Sequence, residues 1–161
     1  MKRILLCLLA LLMLSVAMTS CQKGNYTDSA DVNALADTAI SVLNPEIKYL
    51  TPDEFYLVDY FDTPSYVKSY TLRRAMIGNN LNELGIYHVE EGKAEEMKNV
   101  LETYLDTCYN TNKTWYESYI PQEVPKLRDA QVKVFGNYVV YVILNQEDRA
   151  AVLNAIESAL Q

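Results

Sequence analysis

The sequence predicts an α+β fold: an antiparallel sheet of about four strands with helices on one face, preceded by one or two N-terminal helices. Three patterns carry this. Apolar runs at 131–135 and 138–144 flank Gly136-Asn137, a two-residue hairpin signal. A second pair of strand-like runs, at about 69–77 and 83–90, is separated by Gly78-Asn79-Asn80. Apolar residues then recur at helical spacing in three further stretches.

In order, the first helix has Asp28 or Ser29 as N-cap, and its stripe is Val32, Leu35, Ala36, Ala39, Ile40 and Leu43. Asn44-Pro45 ends it. Thr51-Pro52-Asp53-Glu54 announces a second short helix, with Phe55, Leu57, Val58 and Phe61 for burial. In the run at 83–90, Leu84, Ile86 and His88 share one face, while Tyr87 and Val89 share the other.

A long helix after Gly92 carries Met97, Leu101, Tyr104, Leu105, Cys108, Asn112, Trp115 and Tyr119 at spacings of three and four. It is expected to reach Ser118, with a break among the weak helix formers 110–114. Pro121 and Pro125 mark a loop. Helix 146–160 closes the chain, with Ala151, Val152, Ala155, Ile156 and Ala159 inward.

The two strand-strand-helix halves match at an offset of 55. Asn99-Val100-Leu101-Glu102-Thr103-Tyr104-Leu105 lies over Asn154-Ala155-Ile156-Glu157-Ser158-Ala159-Leu160. A duplicated unit would produce that match, and so would two unrelated amphipathic helices.

The N terminus says where the protein is expected to work. Lys2 and Arg3 precede an apolar run from Ile4 to Ala17, and Met18-Thr19-Ser20 leads into Cys21. A basic start, an apolar core and small residues at the cleavage point make a secretory signal, and a cysteine after them is the lipoprotein form. Met18 stands where Leu is usual. The organisation expected is a signal peptide at 1–20, a tether at 21–28 with lipid on Cys21, and one extracytoplasmic domain at 29–161. Two acyl chains on Cys21 would hold stably to a membrane where one would not.

From Cys21 onward the chain has 141 residues, enough for one core, with 12 basic against 21 acidic side chains and a net charge of −9. That balance argues against nucleic acid and against electrostatic docking on an anionic bilayer. Cys108 is then the one cysteine kept as a thiol, so no intrachain disulfide is expected. All thirteen tyrosines lie in this part. They build either a recognition surface or a set of half-buried positions.

Little of the sequence reads as chemistry. One histidine excludes HExxH and histidine-rich metal centres, and GxSxG, GxGxxG and P-loop patterns are missing. No catalytic, cofactor-binding or metal-binding residue is assigned. Cys108 with His88 is the one conceivable nucleophile and base, yet Cys108 falls on the apolar stripe of a helix, where a thiol is inert. Acids gather at Asp53-Glu54, at Asp59 with Asp62, and at Glu90-Glu91 with Glu95-Glu96. The last group sits at a helix start, where carboxylates complement the dipole. Adjacent in a strand, Arg73 and Arg74 point to opposite faces and form no single basic patch.

Four segments stand out together: Glu83-Leu84-Gly85-Ile86-Tyr87-His88-Val89, Gly92-Lys93-Ala94-Glu95-Glu96-Met97-Lys98, Trp115-Tyr116-Glu117-Ser118-Tyr119-Ile120-Pro121 and Phe135-Gly136-Asn137-Tyr138-Val139. In combination they resemble the Gram-positive lipoprotein family known as domain of unknown function 4358. Their order and spacing cover about 51–160. The resemblance implies a lipid-anchored extracytoplasmic domain and brings no known activity. Neither His88 nor Cys108 belongs to the pattern.

The function expected is therefore a non-enzymatic binding or accessory module on the outer side of the cell membrane. Its partners would be the membrane, through the lipid on Cys21, and an envelope protein or cell-wall component. Phe55, Tyr56, Tyr60, Tyr66 and Tyr70 are its expected surface. The alternative is an envelope hydrolase using carboxylates or Cys108. A solute-capturing transporter subunit is disfavoured by the chain's small size.

Overall fold

The computed structural model describes residues 25–52, 61–76 and 78–161. In chain order these form α1 (Val32–Ser41), β1 (Tyr49–Leu50), β2 (Val67–Ala75), β3 (Glu83–Val89), α2 (Ala94–Tyr119), α3 (Val124–Arg128), β4 (Gln131–Phe135), β5 (Tyr138–Ile143) and α4 (Gln146–Leu160). The five strands make one antiparallel sheet in the order β1-β2-β3-β5-β4. The α+β class and the N-terminal helix are as expected. The fifth strand, β1, is a two-residue edge too short to leave a sequence signal.

The helices divide between both faces of the sheet instead of sharing one. On the first face, Leu84, Ile86, Val140 and Val142 pack against α1 (Leu35, Ala36, Ala39) and α4 (Val152, Ile156, Leu160). On the other, Tyr87, Val89, Val139, Tyr141 and Ile143 meet α2 (Met97, Leu101, Tyr104, Cys108) and Leu127 of α3. The cause is visible in β3 and β5, whose residues are all buried. A strand apolar on both faces must be covered twice.

Strand-strand-helix order does occur twice along the chain, but α2 and α4 lie on opposite faces. A rotation that exchanges neighbouring antiparallel strands keeps each face of the sheet in place. The two halves are therefore not copies related by such a rotation.

Local differences have local reasons. Asp31, not Asp28 or Ser29, caps α1, with its Oδ1 accepting from the amides of Asn33 and Ala34 at 3.0 and 2.9 Å. Strand β2 begins and ends two residues earlier than expected. The break expected at 110–114 is missing, and α2 runs unbroken to Tyr119. There the Asn112 amide donates to the Cys108 carbonyl (3.1 Å), and Trp115 meets Tyr119 one turn on, with ring centroids 5.1 Å apart. Such pairs offset weak helix propensity. Pro125 falls in the first turn of α3, where its missing N–H costs nothing. In α4, Val152 and Ile156 are buried as expected, whereas Leu160 turns inward in place of the exposed Ala159. The second helix announced by Thr51 to Glu54 lies almost wholly outside the described residues.

Candidate functional site: a cleft over a buried arginine

Arg73 lies on β2, on the face that meets α1, and its guanidinium is held from behind. Nη1 donates to Thr71 Oγ1 (2.6 Å) and to the Leu72 carbonyl (3.0 Å), and Nη2 to Asn33 Oδ1 (3.4 Å). Thr71 and Arg73 are two residues apart on one strand face, which is why the hydroxyl reaches the cation. On the outward side, Nη1 also donates to Thr51 Oγ1 (3.0 Å) and Nη2 to Asp37 Oδ1 (3.1 Å). The arginine side chain is 11% exposed, while Asp37 is 71% exposed.

Over this guanidinium opens a cleft of about 390 Å³, between the C-terminal half of α1, the following loop, β1 and Thr51. Ile40, Leu43, Ile47 and Tyr49 supply apolar wall, and Lys48 stands on the same rim. The Tyr49 hydroxyl accepts from Asn82 Nδ2 at 2.9 Å, and Asn82 Oδ1 in turn accepts from Lys126 at 2.8 Å. A second cleft of about 300 Å³, between Glu102, Leu105 and strand β4, contains no buried charge. The first has the concavity and the fixed polar group that small-molecule sites share. Arg73 is indeed separated from Arg74. Sequence reasoning missed Arg73 because β2 is a mixed strand, with Lys68, Ser69, Thr71, Arg73 and Arg74 among its nine residues, and nothing in that pattern marks which cation turns inward.

The nucleophile and base pair does not assemble. His88 is on the α1 face, stacked on Tyr138 with ring centroids 4.5 Å apart, and Cys108 is buried on the α2 face with Leu101 and Leu105. The sheet stands between them.

His88 serves the N-terminal segment instead. Its Nε2–H donates to Asp28 Oδ1 (2.8 Å), which also accepts from Asn137 Nδ2 (2.9 Å), while Lys68 Nζ donates to Oδ2 (3.3 Å). The Asn137 bond first, then that of His88, holds the Asp28 carboxyl at about 2, below its ordinary 3.8. Nearby, the Thr27 amide donates to the Leu160 carbonyl (2.8 Å) and the Tyr26 hydroxyl to Glu157 (2.9 Å). Part of the expected tether is thus packed on the domain.

Glu83 is a second buried charge. Its Oε1 accepts from the hydroxyls of Tyr104 (2.7 Å) and Tyr141 (2.6 Å), from α2 and β5. Burial foremost, then the Glu83 charge, keeps the Tyr141 hydroxyl well above its ordinary 10.0. Neither cleft reaches this carboxylate, so its geometry is that of an internal clamp between helix and sheet.

Of the expected tyrosine surface, Phe55, Tyr56 and Tyr60 lie outside the described residues, as do Cys21, Asp53, Glu54 and Asp59. Tyr70 is partly exposed and stacks on Tyr87, with centroids 5.5 Å apart and planes at 9°. Tyr66 is half-buried beneath Lys93. Glu95 and Glu96 occupy the first turn of α2, and Glu96 pairs with Lys93 at 2.7 Å. Among the described residues, no three histidine, cysteine or acidic side chains are grouped as a metal ion would require.

Fold and site together define an α+β domain with an antiparallel sheet covered on both faces and a charged cleft at its edge. A family model described as Domain of unknown function (DUF4358) matches residues 59–144, more than half of the chain, and the protein belongs to that family. Searches of curated proteins and of solved structures gave no match.

Proposed function

We propose that the protein is a lipoprotein held on the outer face of the cell membrane through Cys21, acting as a non-enzymatic binding or accessory module. The observation that carries this reading is the leader: Lys2-Arg3, the apolar run to Ala17 and the small residues before Cys21. Among the described residues no helix is long and apolar enough to cross a membrane. From Cys21 to Tyr26 the chain can span at most about 18 Å. The domain would therefore stand close to the bilayer. Separation of His88 from Cys108 by the sheet supports binding over thiol chemistry.

Fractionation tests the anchor. Cys21→Ser is expected to move the protein from the membrane fraction to the medium or to leave it unprocessed. A fully processed Cys21→Ser chain that stayed with the membrane would end this reading. Crosslinking in cells tests the module, with a specific envelope component expected in the adduct.

A further inference from the structure

We infer that the cleft over Arg73 binds a carboxylate carried on a short apolar stem, with Asp37 occupying the carboxylate position until the ligand displaces it. This deepens the binding-module reading and rests on it. Thr71, Asn33 and the Leu72 carbonyl fix the guanidinium from behind. Nη1 shares its two N–H groups among Thr71, the Leu72 carbonyl and Thr51, and Nη2 its two between Asn33 and Asp37. The cleft-side contacts are therefore one from each terminal nitrogen, the forked pairing that a carboxylate takes bidentately. At present that fork is taken by a threonine hydroxyl and by a single oxygen of Asp37.

Asp37 is a weak occupant. It is mostly solvent-facing, and returning an exposed carboxylate to water costs little. Among the described residues, the cleft's charged lining is Arg73 and Lys48 against Asp37, a local excess of one positive charge in a chain of net charge −7. An anion is thus drawn to this place and repelled by most of the remaining surface. Behind the fork, Ile40, Ile47 and Tyr49 offer an apolar wall to the body of the ligand. A free short-chain acid and the C terminus of a peptide share this chemistry.

The test is calorimetric titration of the full-length chain in detergent micelles with pentanoate, and with pentanamide as its uncharged counterpart. Saturable binding of pentanoate and none of pentanamide is expected. Asp37→Asn should tighten pentanoate by about two- to five-fold, the worth of one solvent-facing ion pair, because it removes the internal competitor. Arg73→Gln should abolish binding. If that variant fails to fold, Asp37→Asn decides alone, since Asp37 is exposed. Equal heats from acid and amide, or an unchanged affinity in Asp37→Asn, would overturn the inference.

N-acetyl-dialanine distinguishes the sources: binding tighter than pentanoate supports a peptide C terminus, and weaker binding supports a free acid. Cys21→Ser must titrate like the parent. Failure here with Cys21-dependent fractionation intact removes the cleft and leaves the anchored module standing.

Discussion

Gly85 and Tyr141 are partners across β3 and β5, and the tyrosine ring fills the space a side chain at Gly85 would need. A Cβ at Gly85 would fall 2.1 Å from Tyr141 Cε1, far inside van der Waals contact. The glycine lets the ring lie down over the strand, and the ring carries its hydroxyl to Glu83. Gly85→Ala is expected to cost about 1–3 kcal/mol, the range for overfilled cores. The urea midpoint should drop with the slope unchanged. An unmoved midpoint would show that the ring can step aside.

Two neighbouring tyrosines should respond in opposite ways. Tyr141→Phe removes a donor from the buried Glu83 carboxylate and is expected to cost about 1–3 kcal/mol. Among the described residues, the buried Tyr87 hydroxyl has no hydrogen-bond partner. Tyr87→Phe should therefore be neutral or stabilising by up to about 1 kcal/mol. Burial raises both groups in the folded state. Below pH 10, where the unfolded chain also keeps its phenols neutral, they cause no pH-dependent loss, and stability falls as pH rises beyond it because the folded state resists their ionisation. Tyr87→Phe should accordingly flatten the alkaline loss of stability. Chemical denaturation between pH 8 and 11 checks both statements.

Acid should act at Asp28. Because its folded value, about 2, lies below its ordinary 3.8, the carboxylate stabilises the fold above pH 3.8 and ceases to as pH falls toward 2. Asp28 is 54% exposed, so solvent screening limits the effect to about 1 kcal/mol or less. The stability gap between parent and Asp28→Asn should be widest near neutrality and close between pH 4 and 2. Melting curves across that range decide it, and a gap that does not vary with pH would be the contrary result.

Trp115 is the protein's one tryptophan and is 51% exposed; nearby Tyr119 is 70% exposed. The fully buried positions of α2 stop at Cys108, and beyond it Tyr116 still packs partly on the core while Trp115 and Tyr119 face outward. Iodide should quench native tryptophan fluorescence nearly as well as in the denatured chain. Trp115→Ala should alter stability by about 0.5 kcal/mol or less. Strong protection from quenching would place the ring in an interface instead.

The α+β class, the hairpin at Gly136-Asn137 and the start and end of α4 were legible because hydrophobic period and turn chemistry agree there. Other features depend on distant residues. The stripe of α2 continues through Trp115 and Tyr119, but periodicity cannot say where the sheet beneath it ends. Three polar residues, Asp28, Ser29 and Asp31, each suit an N-cap, and Asp28 is taken instead by His88, Lys68 and Asn137. The cleft was hidden for a similar reason. Arg73 is one of several polar residues on its strand, and only the fold brings Asn33, Asp37 and Thr51 to it.

The Thr27 amide bonds the carbonyl of Leu160, the penultimate residue, so the two ends of the folded unit meet. Joining residue 161 to residue 25 through a few glycines would close the chain into a ring without stretching it. That ring could be reopened at the exposed turn of Gly78 and Asn79 with the sheet order conserved. The same closeness makes the domain portable: spliced into a surface loop of a host protein, it would ask that loop to part by little more than the width of one strand.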